Sequence, residues 1–140
     1  MEGFVNPQDW LKPTAAEILT PAGALTLVPY GDIKVICFVR DFDRTGWQAE
    51  RRRFASRPKT EGLWVRAIFR DNDFIEGVLP NDLLAIDAFG YTLTPPDASS
   101  NNQRLFLPRD ALKEFKVLGV VGSPMRPKKG PPEGQQRLFD

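Results

Sequence analysis

The chain has 140 residues, 41% of them hydrophobic and 26% charged, and 19 basic against 18 acidic side chains leave a net charge of +1. That length holds one compact domain or two very small ones, and ten Phe are enough for a real core. Near-neutrality excludes general affinity for nucleic acid or membranes through bulk charge, and the absence of histidine removes the commonest general base and metal ligand.

The opening MEGFVNPQDW has neither a basic n-region nor an apolar h-region, so no signal peptide is expected. The single cysteine, Cys37, lies in the apolar run IKVICFV and reads as a buried thiol without a nearby activator. With no second cysteine to pair with, the expected location is a reducing cytoplasm. The longest apolar runs are strand-sized, far short of a membrane-spanning helix. Thirteen Pro and eleven Gly cluster between the strands, and no stretch keeps a helical period. The best helical candidates are single turns at 81–84 and 109–112, so the expected fold is all-β.

Residues 1–40 carry three short blocks, EGFV (2–5), ILTP (18–21) and LVPYGDIKVI (27–36). Residues 41–62 form a polar, basic connection. Within it, 44–59 holds six basic residues against one acidic, Glu50. Arg51, Arg52 and Arg53 could meet phosphate there while Trp47 and Phe54 stack on bases. The plainer reading is a solvated edge strand whose charges block sheet-to-sheet association. Asp41-x-Asp43 and Asp71-x-Asp73 have the spacing of hard-cation ligands, but acidic residues are ordinary where strands end, so no metal is assigned. No cofactor is implied either.

Residues 63–122 read as a complete barrel unit. Leu63, Val65, Ala67 and Phe69 alternate with Trp64, Arg66 and Arg70, the pattern of a half-buried strand. Asp71-Asn72 supplies a tight turn. A second strand follows at 74–79, with Gly77 where a bulge or bend is expected. Then come FGYTLTP (89–95), a polar loop, RLFLP (104–108), a short turn and a closing strand, KEFKVLGVV. In the loop, Ser100, Asn101 and Asn102 carry donors and acceptors suited to a base edge or a peptide backbone, although such residues also simply make turns.

The two regions share an order of blocks. Glu2-Gly3-Phe4-Val5 matches Glu76-Gly77-Val78-Leu79, and ILTP matches TLTP (92–95). After a longer loop, 27–36 matches 106–115, with Pro29 on Pro108, Ile33 on Leu112 and Lys34 on Lys113. The expectation is an internal duplication whose first copy lacks a counterpart of the strand LWVRAIFR. A barrel short of one strand leaves unpaired edges that must be covered. The cover would come from 41–62, from the other copy, or from a second chain in a homodimer.

VRAIFRDNDFIEGVL resembles the first motif of the Sm-like fold, and RLFLP, RDAL and EFKVL resemble that fold's last two strands joined by a 3₁₀ turn. The stretch GYTLTPPDASSNNQRLFLPRDALKEFKVL is similar to an uncharacterised family of small bacterial domains often appended to regulatory proteins. That family repeats a G-F-x-L-x-P run, a Ser-Asn-Asn loop and an R-x-F-V/L strand. The resemblance implies two fused Sm-like small β-barrels and, more weakly, RNA or single-strand binding. It implies no enzymatic activity.

Residues 123–140 are rich in Pro, Lys, Gly and Gln and are expected to be a flexible tail. The tail ends Gln135-Gln136-Arg137-Leu138-Phe139-Asp140, which resembles the bacterial sliding-clamp-binding motif Q-x-x-L-F. On that resemblance Gln135 would bond a pocket rim while Leu138 and Phe139 enter an apolar cleft. The alternative is that Leu138 and Phe139 dock on the protein itself or on its twin. The combined expectation is a non-enzymatic cytoplasmic binding or adaptor module.

Overall fold

The structure, a computed structural model, describes residues 1–42, 47, 50–80, 88–97 and 101–122. Among these residues, regular structure consists of eight strands and 3₁₀ turns, an all-β fold. The strands are β1 (Ala15–Leu19), β2 (Leu25–Pro29), β3 (Ile36–Val39), β4 (Gly62–Phe69), β5 (Phe74–Leu79), β6 (Gly90–Leu93), β7 (Asn102–Pro108) and β8 (Leu112–Val121). They form three antiparallel sheets: β1-β2, β3-β7-β6 and β5-β4-β8. No helix among the described residues is long and apolar enough to cross a membrane. The possible turn at 81–84 lies outside the described residues; the one at 109–112 is a 3₁₀ turn at Arg109–Ala111.

Strand β4 is central because its side chains alternate as the sequence dictates. Val65, Ala67 and Phe69 are buried, and β5 and β8 flank it on its two edges. The β4–β5 turn works because Asn72 accepts a φ of 70°, a left-handed conformation that asparagine tolerates better than most residues. The expected bulge at Gly77 is not there: β5 runs past it in unbroken register with β4, and Val65 faces it. Gly77 instead makes room for a neighbour, since a Cβ there would sit 3.0 Å from both the Leu93 Cβ and the Thr94 carbonyl oxygen. The register shifts fall between Trp64 and Val65 and between Ile68 and Phe69 along β8, and between Phe38 and Val39 along β7.

Two hairpins are built alike. In the first, Ala15 faces Pro29; in the second, Gly90 faces Pro108. Each proline ends its strand, and a 3₁₀ turn follows, at Tyr30–Asp32 and at Arg109–Ala111. Proline suits that place because it fixes φ near −60° and has no N–H to leave unpaired. Each hairpin also carries a two-bond bridge to an earlier segment. Phe4 and Leu19 exchange N–H···O bonds of 2.8 Å, and Val78 and Thr94 exchange bonds of 2.9 and 3.0 Å. By this pairing Leu19 lies over Thr94, one residue away from the sequence match of ILTP to TLTP.

The larger core joins Val65, Ala67, Phe69, Ile75, Leu79, Leu93, Leu105 and Leu107. The smaller one joins Trp10, Ala16 and Tyr30 to Phe106, which comes from β7. Trp10 meets Phe106 and Phe38 edge to face, at centroid distances of 5.1 and 5.6 Å. Strand β3 lies between the two cores. Val35 and Cys37 pack on the larger, Ile36 and Phe38 on the smaller.

Candidate functional site

Strand β3 hydrogen-bonds to β7 on one side and is the edge of its sheet. An open cleft of about 950 Å³ is lined by β3 and its flanks, by the chain from Met1 to Val5 and by the start of β7 at Asn102–Arg104. One wall is the chain from Met1 to Val5, the other the stretch from Asp32 to Phe42. Two partly exposed rings, Phe4 and Phe42, reach across and meet at 5.4 Å between centroids. Cys37 is half-buried rather than buried and also lines this cleft. Burial pushes its thiol up to about 11, with Glu50 adding to the rise and Arg52 opposing it, so little thiolate forms at neutral pH.

Beside the cleft sits a polar cluster centred on Asp73. Its carboxylate accepts from Lys34 Nζ at 2.8 Å, Trp47 Nε1 at 2.9 Å and the Phe74 N–H at 2.8 Å. Arg52 adds a two-pronged contact, Nε and Nη2 each at 3.2 Å. The same guanidinium donates to the carbonyls of Trp47 and Glu50, both at 2.9 Å, and lies over the Trp47 ring at 3.9 Å. Burial acts to raise the Asp73 carboxyl, but Arg52, Lys34, Trp47 and the Phe74 amide outweigh it and hold it well below the usual range. Lys34 also donates to Asp71 at 2.9 Å, so an ammonium stands where the Asp-x-Asp spacing suggested a hard cation. Lys113, the residue matched to Lys34, reaches the same turn and donates to Asn72 at 2.7 Å.

A second carboxylate, Glu76, is almost fully buried on the other face of β4. It accepts from Arg66 at 2.7 and 3.2 Å, from Trp64 Nε1 at 3.3 Å and from the Phe54 N–H at 3.2 Å. Burial works against its ionisation, yet Arg66, the Phe54 amide and Trp64 prevail and keep its pKa low. Here Arg52 and Phe54 depart from the solvated edge strand expected of 41–62, while Arg51, Arg53 and residues 55–57 are exposed. The Glu76 N–H donates to the Arg52 carbonyl at 2.8 Å, and Phe54 packs edge to face on Trp64. Residues 52–54 thus lie beside β5, with Phe54 against Trp64.

The arginine cluster is therefore divided. Arg52 is bound inside the Asp73 cluster, Arg53 lies over the Phe74 ring at 4.8 Å, and Arg51 is exposed. Trp47 packs edge to face against Phe69, so its ring belongs to the fold. Asn101 exchanges side-chain bonds with the Asp41 backbone, both at 3.0 Å. Asn102 is not in a loop: it begins β7, is buried, and donates to Glu50 Oε1 at 2.5 Å. Ser100, Asp43 and the tail residues Gln135, Leu138 and Phe139 lie outside the described residues.

With this geometry in hand, the family comparison has a clear extent. The chain belongs to the family of unknown function DUF6982. The family model matches residues 1–119, so it spans both hairpins, the cleft and the Asp73 cluster, and ends within β8. No curated protein and no solved structure matches the chain. What the sequence reading of this DUF6982 domain missed is the set of contacts that distant residues make with the 71–73 turn. Lys34 and Lys113, matched across the two regions, both reach that turn, Lys34 at Asp71 and Asp73 and Lys113 at Asn72. Their long sequence separation hid the contact.

Proposed function

We propose that the chain is a non-enzymatic binding module built from two fused Sm-like small barrels, the first lacking one strand, and that it acts as an adaptor. The strand order supports the barrel reading: β8-β4-β5 continues through the Val78–Thr94 bridge into β6-β7, the order 5-1-2-3-4 within that unit. The matched hairpins, proline stops and 3₁₀ turns support the duplication. The observation that carries the binding reading is the open cleft at β3, which pairs with β7 alone among the described residues. An enzyme has less support, since Asp73 and Glu76 are saturated with donors and Cys37 holds its proton. Single-strand binding through 44–59 also has less support, because Arg52 and Trp47 are committed to the fold. A cytoplasmic location and a homodimer fit the module but rest on the sequence reading.

The tail gives the adaptor its second contact. The peptide 131–140 is expected to bind a bacterial sliding clamp without the rest of the chain, because the motif is short and linear. Ordering on binding costs entropy, so micromolar affinity is expected, on the order of −8 kcal/mol. Leu138→Ala with Phe139→Ala should abolish binding in calorimetry, and Gln135→Ala should weaken it by roughly 1–3 kcal/mol. The full chain's melting temperature should stay unchanged in these variants; a drop would show that Leu138 and Phe139 pack on the fold and would overturn the clamp reading.

A further inference from the structure

We infer that the cleft between the 1–5 segment and β3 is a vacant strand position that takes an extended β-strand from a partner chain. The inference rests on the duplicated-barrel reading and names the ligand class of that module. In the second unit, β4 lies between β5 and β8 and pairs with both. The first-unit counterparts of those neighbours are identifiable from pairing. Phe4 bridges β1 as Val78 bridges the end of β6, and β3 follows its 3₁₀ turn as β8 follows the other. Between Phe4 and β3, where β4 would stand, the first unit has the cleft, walled by 1–5 on one side and by Asp32 to Phe42 on the other.

The site's chemistry specifies a strand rather than a compact ligand. An edge strand presents alternate N–H and C=O groups that an incoming extended chain can pair. Phe4 is 56% exposed and Phe42 39%, and Val5, Ile18, Val28 and Val39 line the same space. Apolar side chains at alternate positions of an incoming strand would cover these groups, as Val65, Ala67 and Phe69 of β4 serve the larger core. The cleft's charged lining, Glu2, Asp32 and Asp41 against Lys34, Arg40 and Arg104, is balanced. That balance favours a strand of low net charge over an acidic or basic ligand.

The probe is a fluorescein-labelled synthetic peptide of residues 61–70, EGLWVRAIFR, titrated into the full chain. Anisotropy should saturate, and hydrogen exchange read by mass spectrometry should slow at least fivefold in segments 1–5 and 33–42 alone. A peptide with Val65→Pro, which removes a ladder donor, should bind at least tenfold more weakly. Phe4→Asp in the protein, at an exposed position, should do the same while leaving the melting temperature within a few degrees. Absence of protection at 1–5 and 33–42, or protection of 74–79 and 112–121 instead, overturns the inference. An unrelated alternating peptide that protects 1–5 and 33–42 equally well would uphold the strand site and remove the repeat reading that led to it. Without peptide, concentration-dependent protection of those segments would assign the site to a second copy. Faster exchange there after deletion of 123–140 would assign it to the chain's own tail. Either result overturns the partner strand.

Discussion

The two hairpin units share a bridge, a proline stop and a 3₁₀ turn, yet they fill their interiors differently. The second has β4 at its centre, and five buried residues of β5, β6 and β7 pack with its Val65, Ala67 and Phe69 in one core. The first has no such strand among the described residues and fills its smaller core with Trp10 and with Phe106 taken from β7. On the proposed duplication, the unit short of a strand completes its core with a side chain of its neighbour, in keeping with the pairing of β3 to β7 and with the two cores packing on β3 and the residue before it. The units are therefore expected to melt together, since neither β3 nor Phe106 belongs to one alone.

The strongest test of that shared interior is Phe106→Ala. The residue is fully buried and touches the Trp10 ring, so removing it forfeits burial and leaves a cavity, a cost of about 3–5 kcal/mol. Urea unfolding followed by tryptophan fluorescence and by circular dichroism should give one coincident transition, shifted to lower denaturant with its slope unchanged. Two separated transitions would break the comparison, because the first unit would then be an independent body.

Asp73→Asn tests the polar seam. Lys34 follows the first unit's 3₁₀ turn, and Asp73 immediately precedes the second unit's β5, so their 2.8 Å contact ties one unit to the other. Loss of the charge leaves Arg52 and Lys34 partly buried against a neutral amide, an expected cost of about 1–3 kcal/mol. The Asp73 carboxyl titrates below its unfolded value. Its contribution is thus complete above about pH 4 and lost as pH falls toward the folded value. The variant's stability should accordingly change less than the parent's between pH 5 and pH 2. A double-mutant cycle with Lys34→Ala should show coupling; additive effects would mean that the seam rests on Arg52 alone.

Much of the second unit was legible because its strands alternate and its turns use Asn72 and Pro108, where local chemistry and fold agree. In the first hairpin the sequence match of ILTP to TLTP stands one residue from the bridge at Leu19, because short matched blocks do not fix register. The 41–62 connection was legible in part: Arg51, Arg53 and residues 55–57 are exposed, as a charged connection should be, while Arg52 and Phe54 are drawn in by contacts distant in sequence, from Arg52 to Asp73 and from Phe54 to Glu76. Asn102 shows the same limit: its type suggests a turn, while its burial depends on Glu50, which the chain brings in from 52 residues away.

Glu50 yields the smallest effect and the most informative sign. It joins the connection to β7 through Asn102, while its other carboxylate oxygen is buried with no hydrogen-bond partner among the described residues. Burial raises its pKa; Asn102 and Arg52 pull down less strongly, and Asp97 pushes further up. The folded state therefore holds this proton more tightly than the unfolded chain does. Its contribution is full below the unfolded value near pH 4.3 and is lost as pH rises through the folded value, the reverse of Asp73. Glu50→Gln keeps an acceptor for Asn102 and removes the buried charge. At pH 8 its melting temperature should exceed the parent's by about 2–4 °C, with the two curves converging near pH 4. A lower melting temperature at pH 8 would show instead that the ionised carboxylate, through Arg52, helps to hold the two units together.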